Sequence, residues 1–306
     1  MLISVPVGFR LQAAPNGRLA PHLARQGVAM HTYVYPAIWY DSFNMDDPVV
    51  GGYSPDRVAL RRAIALAFDR RQAIDIIFSG GALPANGLVP TGVAGHDEHA
   101  LTDVFEHDLA KAKALLDLYG YTDRDGDGWR EAPDGSPLAV TFASPSQPRF
   151  RPWDELWDKA FRNLGVRMEL KKMHQADLTK MLMAGKHQLA MNAWNMDYPD
   201  GEDFFVLLYG PASGAANQSF FRLPEYDHLF DQARLLTDSP ERNRLYRAMD
   251  RLAFAYMPMV MNLYPVRLGL THPWVSGYRP HPVHLEPWKY IDIDVEKRAK
   301  SLGASR

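Results

Sequence analysis

The sequence predicts an α/β fold built from parallel βαβ units, and two observations carry that prediction. Between residues 138 and 194 the chain runs LAVTFAS, WDELWDKAFRNL, VRMEL, ADLTKMLMAG, LAMNAW. This reads as strand, helix, strand, helix, strand, with crossovers long enough for the right-handed connections that parallel strands require. The strand segments are aliphatic, which suits burial on both faces. Second, a chain of 306 residues with 46% hydrophobic and 23% charged residues is a folded one, with room for one large domain or two ordinary ones.

Each element follows from local signals. Residues 31–52, HTYVYPAIWYDSFNMDDPVVGG, crowd aromatics without helical periodicity and read as an extended stretch closed by an Asp-Asp-Pro turn. Ser54 and Pro55 open a helix as N-cap and first-turn proline, with Leu60, Ile64, Ala67 and Phe68 as its buried stripe. Asp69 caps a second helix through Ile77. Residues 80–95 are rich in Gly and Pro and read as a long surface loop. A helix spans about 108–119 and ends at Gly120. After the βαβ region, a short helix is expected over 202–209, then helices over 224–236 and 239–255, the latter again opened by Ser-Pro. MVMNLYPVRLGL reads as a returning strand, and the charged residues after Asp294 as a frayed tail.

Composition excludes several classes of function. Lys plus Arg is 34 against Asp plus Glu of 36, a formal net charge of -2, so nothing pulls the whole chain towards nucleic acid or an anionic membrane. There is no cysteine, which removes disulfide scaffolds, thiol nucleophiles and thiolate metal sites. No stretch reaches the roughly 18 apolar residues of a membrane helix. LAFAYMPMVMNLYPV comes nearest, and two prolines break it. No basic segment precedes the apolar residues after Met1, so the chain as written shows no secretion signal and would stay cytoplasmic if made in that form.

Three groups of residues are candidates for chemistry. Asp123, Asp125 and Asp127 occupy alternate positions of a calcium-loop pattern, with Gly128 following. The bidentate Glu of that pattern is replaced by Asp134, so an Asp/Gly turn bonded to its own backbone is the stronger reading and no metal is expected. His96 and His99 have no third partner at recognisable spacing. There is no G-x-S-x-G, Walker loop or G-x-G-x-x-G after a strand. The most informative stretch is LAMNAWNMDYPDGEDFF. A parallel strand ends at Trp194, and three residues later stands Asp197. Ligands of open α/β sheets bind beyond the carboxyl ends of strands. Trp194 offers a flat apolar wall and Asp197 an anionic partner, with Tyr198 and Phe204 in the same group. The alternative is a core Trp and a turn-forming Asp. Tyr33, Tyr35, Trp39, Tyr40 and Phe43 either line a pocket at an interdomain seam or pack a core.

Four passages together carry a family resemblance: FNMDDPVVGG with LRRAIALAFDRRQAID; DLAKAKALLDLYGYTDRDGDGWRE; WNMDYPDGEDFF; and LPEYDHLFDQA through SPERNRLYRAMDRLAFAYMPMVMNLY. In order and spacing they resemble the C-terminal lobe of the peptide-binding substrate-binding proteins of ABC importers, solute-binding family 5. The resemblance implies a periplasmic-binding-protein-like lobe over 31–270. Residues 1–30 are then a remnant of, or linker from, the first lobe. Residues 271–294 cross back to that lobe, and 295–306 form the tail. It also implies a periplasmic parent that closes two lobes on a peptide or similar small solute and docks on a permease. No cofactor and no covalent step are involved. In peptide binders of this kind the Asp after a Trp-x-x spacing pairs with the peptide's amino terminus, which falls on Asp197. Trp39 and Tyr40 are added as ligand contacts. Little before residue 30 corresponds to the first lobe, so the chain is expected to be a truncated form whose bared face invites self-association. The rival readings are a carboxylate-dependent hydrolase or transferase and a non-binding interaction fragment.

Overall fold

The computed structural model describes residues 1, 4–98, 106–281 and 287–303. Helices α1 (Val7–Ala13) and α2 (Pro21–Arg25) precede strands β1 (Ala29–Val34) and β2 (Ala37–Phe43). Then come α3 (Pro55–Ala67), α4 (Arg70–Phe78), the short β3 (Ala82–Pro84) and α5 (Leu109–Leu118). The alternating region folds as β4 (Ala139–Pro145), α6 (Arg151–Leu164), β5 (Arg167–Met173), α7 (Gln175–Met183) and β6 (Leu189–Asn195). Helices α8 (Glu202–Phe205), α9 (Pro224–Ala233) and α10 (Pro240–Tyr256) lead into the long β7 (Met259–Thr271). The chain closes with β8 (Val275–Ser276), β9 (Asp292–Ile293) and α11 (Val295–Gly303).

The helix starts follow local capping chemistry. Asp69 accepts from Gln72 N at 2.9 Å, Asp108 from Lys111 N at 2.8 Å and Ser239 Oγ from Arg242 N at 3.2 Å. Each satisfies a backbone donor that the first turn leaves orphaned. Ser54 holds the cap position of α3 without a side-chain bond, so Pro55 with its preset φ defines that start. Gly165, at φ +76, ends α6 in the left-handed conformation that glycine adopts without strain.

Seven strands form a mixed sheet. β4 pairs in parallel with β5 on one side and with β6 on the other, as the βαβ pattern predicts. β6 then pairs antiparallel with β2, from Ala37 opposite Asn195 to Phe43 opposite Leu189. β7 runs antiparallel to β2 through its first half and to β1 through its second, and also carries β3. A mixed α/β architecture with alternating helices and strands is thus present. The main core lies between the sheet and its helices, with Trp153 and Trp157 of α6 buried and Phe68 stacked on Trp157 at 4.2 Å.

Three expectations need correction. β5 is not buried on both faces: it lies at a sheet edge, and Glu169, Leu170, Lys171 and Lys172 are exposed. Its charges keep that open edge from pairing with another chain. Residues 80–95 are not a surface loop throughout. They contain β3, and Leu88 and Val89 are buried, held by Asp250 accepting from Leu88 N at 3.1 Å and by Tyr264 donating to Gly87 O at 2.6 Å. Residues 295–303 form α11 rather than a frayed tail, with Asp294 accepting from Lys297 N at 2.8 Å. LAFAYMPMVMNLYPV divides between the end of α10 and β7. Among the described residues no helix is long and apolar enough to cross a membrane.

His187, just before β6, is 4% exposed, and neither ring nitrogen has a hydrogen-bond partner among the described residues. Burial pushes its pKa down from 6.5 to about 4. The folded state binds the proton less readily than the unfolded chain, so the stability linked to this group is complete above pH 6.5 and drains away as the pH falls towards 4. His187→Leu is expected to be neutral or stabilising by about 1 kcal/mol at neutral pH, because it removes an unsatisfied polar group. It should also flatten that acid slope. Urea midpoints at pH 7.5 and pH 5 check both points.

Candidate functional site

The site grows from the end of β6. Trp194 lies opposite Ile38 of β2, and Trp39 lies opposite Ala193. Neighbouring residues of a strand point to opposite faces and cross-strand partners to the same face. Trp194 and Trp39 therefore sit on opposite faces of the sheet. The Trp39 ring packs against Phe78 at 5.1 Å and Trp153 at 6.1 Å, on the side of α4 and α6. This corrects the grouping of Trp39 with Trp194. Tyr40 shares the face of Trp194 but is 2% exposed in the core, and Phe204 is completely buried, so neither is open to a solute. Tyr33 and Tyr35 lie at or beside β1, half-buried, with the Arg267 guanidinium 3.5 Å from the Tyr35 ring centre. Phe43 is core.

The Trp194 indole and the Asp197 backbone meet at one shared acceptor, with Tyr198 next in the chain. The turn after β6 carries four carboxylates in seven residues: Asp197, Asp200, Glu202 and Asp203. Asp200 pairs with Arg242 of α10 at 2.5 Å and accepts from the Tyr246 hydroxyl at 3.0 Å and Glu202 N at 2.8 Å. Burial pulls the Asp200 pKa up, but those donors outweigh it and leave the group below the usual carboxylate range. Glu202 reaches Arg242 at 3.6 Å. Asp203 is 2% exposed, and its Oδ2 accepts from Asp197 N at 2.8 Å and from Trp194 Nε1 at 3.3 Å. Burial raises its pKa.

Asp197 is exposed, and its carboxylate has no hydrogen bond or ion pair with a described residue. Tyr198 is 43% exposed beside it, its phenol pushed up to about 12 by partial burial and by Glu202, Asp203 and Asp200 nearby. The arrangement presents an exposed carboxylate on a turn whose backbone shares the Asp203 acceptor with the Trp194 indole, with Tyr198 next in the chain. Such a site can take a cation or a hydrogen-bond donor carried on an apolar body.

Sequence reasoning missed Asp203 and Arg242. The one local signal for Asp203 is its place directly before the buried Phe204 and Phe205. Elsewhere, a cavity of about 590 Å³ lies at the carboxyl ends of β4 and β5, lined by Gln147, Asp154 and Lys172 among others. A cavity of about 620 Å³ beside β3 includes Arg70, Asn86 and His107, and neither cavity includes Asp197.

The Asp-rich turn behaves as a turn. Asp123 accepts from Gly126 N and Gly128 N, Asp125 from Asp127 N, and Asp127 from Trp129 N while pairing with Arg167. The third carboxylate near Asp123 and Asp125, within 4.8 Å, is Glu131 rather than Asp127. Of the two paired histidines, His96 Nδ1 is bonded to Val89 O at 2.8 Å, and His99 lies outside the described residues.

Residues 11–216 match the family described as bacterial extracellular solute-binding proteins, family 5 middle region. The chain belongs to this family. Among curated relatives of this family-5 chain, it is 27% identical over 243 residues to di/tripeptide-binding protein 2 of Pseudomonas aeruginosa and 26% identical over 242 residues to heme-binding protein A of Haemophilus influenzae. Each alignment covers 78% of this chain but only 43% and 42% of the relative, so the chain spans less than half the length of those proteins. Its fold is that of the oligopeptide-binding protein AppA of Bacillus subtilis, solved with a nonapeptide: the TM-score is 0.76 at 15% identity, over 95% of this chain and 55% of that one. HbpA2 of Haemophilus parasuis gives 0.75 at 19% identity, over 94% and 56%. The family binds solutes and is not catalytic, which removes the hydrolase or transferase reading.

Proposed function

We propose that this chain is the C-terminal lobe of the extracytoplasmic solute-binding component of an ABC importer, and that its solutes are peptides held at the amino terminus by Asp197. The exposed, unpartnered Asp197 carboxylate on its braced turn carries the reading. A protonated α-amine is its natural complement, through a charge-assisted hydrogen bond. Trp194 and Tyr198 offer apolar surface to the first residues of the peptide, and main-chain hydrogen bonds would tolerate varied side chains further on. Relatives named for di- and tripeptides support the peptide class.

In this reading residues 31–270 are the lobe. Residues 1–30 lead in from a complementary lobe and 271–294 return to it. The parent protein works in the periplasm and delivers its solute to a permease by lobe closure, without cofactor, nucleic acid or membrane insertion. Phe9 and Leu11 of α1 and Trp288 and Tyr290 near β9 are all about 60% exposed, and they support an apolar face for that second lobe. Left uncovered, the same face would drive self-association.

The test is calorimetry with a pool of di- to pentapeptides, on this chain and on a longer form carrying the complementary lobe. The longer form should bind, and Asp197→Ala should weaken binding about 10- to 100-fold, the worth of one charge-assisted contact. Binding by neither form would remove the peptide class, and indifference to Asp197→Ala would remove the amine contact.

A further inference from the structure

The four carboxylates of the turn after β6 are not equivalent. Asp200 and Glu202 face Arg242. Asp197 faces solvent. Asp203 is buried, has no cation within ion-pair distance among the described residues, and directs a single oxygen at two donors that belong to the candidate site. Those donors are the backbone N–H of Asp197 and the indole N–H of Trp194. Burying a carboxylate is costly unless its hydrogen bonds are met. When ionised, it makes both hydrogen bonds stronger than a neutral acceptor would.

The geometry points to Asp203 as the positioning residue of the solute site: one buried oxygen fixes the backbone of Asp197 and the edge of Trp194 together, so that the carboxylate of one and the ring of the other face the same solute. Asp203 makes no solute contact itself. Its role for a bound peptide rests on the reading of Asp197 given above, whereas its hold on Asp197 and Trp194 does not. Without it, the Asp197 main chain loses its acceptor at 2.8 Å and the Trp194 indole loses its acceptor at 3.3 Å. A turn residue loosened in this way returns part of the binding energy as ordering cost. The charges acting on Asp203 are Asp197 and Glu202; Tyr198 and Asp200 share its turn, Arg242 on α10 and Arg234 at the end of α9 face that turn, and burial holds the Asp203 proton more tightly than an ordinary carboxyl does.

The experiment compares wild type, Asp203→Asn, Asp203→Ala and Asp197→Ala by amide spectra of this chain labelled at aspartate, and by titration of the longer form carrying the complementary lobe with the dipeptide Ala-Phe. In wild type the Asp197 amide proton should lie downfield and follow the protonation of Asp203 as the pH is lowered. Asp203→Ala should move it upfield and weaken Ala-Phe binding at least about tenfold, the loss expected for about 1.4 kcal/mol. Asp203→Asn keeps an acceptor at the same place, so it should retain most of the amide shift, lose its pH response and bind within about threefold of wild type. An Asp197 amide unmoved by Asp203→Ala, or Asn no better than Ala, overturns the assignment. If Asp203→Ala does not fold, the wild-type pH response and the Asn variant decide. If wild type fails to bind Ala-Phe, or binds it equally well after Asp197→Ala, the amine reading falls, and the amide shifts alone decide the role of Asp203.

Discussion

Arg61→Met is expected to destabilise the protein by about 4–6 kcal/mol, a large share of the stability of an ordinary domain. Arg61 lies in α3 and is completely buried. Its guanidinium has no carboxylate partner among the described residues and serves four backbone carbonyls instead. Nε reaches Tyr256 O at 3.1 Å and Met257 O at 3.0 Å, Nη1 reaches Val50 O at 2.7 Å and Gly52 O at 2.9 Å, and Nη2 reaches Tyr256 O at 2.7 Å. The first two carbonyls end α10, where an orphaned negative dipole meets the positive charge. The other two close the turn before α3. Burial brings the Arg61 pKa down to about 10, so it stays charged at neutral pH. Methionine fills much of the volume but leaves those carbonyls without donors. Lysine, with one compact ammonium, reaches fewer of them and should cost about 2 kcal/mol. Urea unfolding of the three proteins tests the order; an Arg61→Met variant within about 1 kcal/mol of wild type would show that the carbonyls find other donors.

Asp41→Leu should cost about 3–5 kcal/mol. Asp41, in β2, is fully buried and accepts from Asn262 Nδ2 at 2.7 Å, Trp157 Nε1 at 3.1 Å and Trp153 Nε1 at 3.4 Å. It ties β2 to α6 and β7, and leucine would leave two indoles and an amide unsatisfied. Asp41→Asn keeps one acceptor and should cost less, about 1–2 kcal/mol. Burial pushes the Asp41 carboxyl up from 3.8 to about 7. The folded state therefore holds the proton longer than the unfolded chain, and the contribution of this group is greatest below about pH 4 and declines as the pH rises through 7. Since asparagine does not titrate, the gap between wild type and Asp41→Asn should be wider at pH 5 than at pH 8. Urea midpoints of both proteins at the two pH values read this directly, and an equal gap would place the Asp41 pKa near its ordinary value.

The alternating region from 138 to 194 was legible because its information is local. Run lengths distinguish strand from helix, Gly165 ends α6, and Asp69, Asp108 and Ser239 cap helices through bonds to residues three positions on. The turn with Asp197 was legible for the same reason, since it follows the end of a predicted parallel strand. Trp39 was misplaced because the face of a strand residue depends on register. That register is set by the pairing of β2 with β6 across some 150 residues of chain, and no local pattern records it. Tyr40 and Phe204 are buried, and sequence does not distinguish them from pocket residues because an aromatic looks the same in a core as in a pocket.

By itself the sequence determined the α/β class, the parallel unit, most helix boundaries, the family resemblance and the acidic turn that follows the strand ending near Trp194. The tertiary structure alone decided which charges are internal. Asp203 lies among four carboxylates in seven residues, Arg61 beside Arg62, and Asp41 between Tyr40 and Ser42, with nothing local to separate the buried from the solvated. What separates them is the set of donors and acceptors that distant segments bring to each: an indole and an amide for Asp203, four carbonyls for Arg61, two tryptophans and an asparagine for Asp41. A buried charge is tolerated only where such partners converge, and convergence is a property of the packed chain.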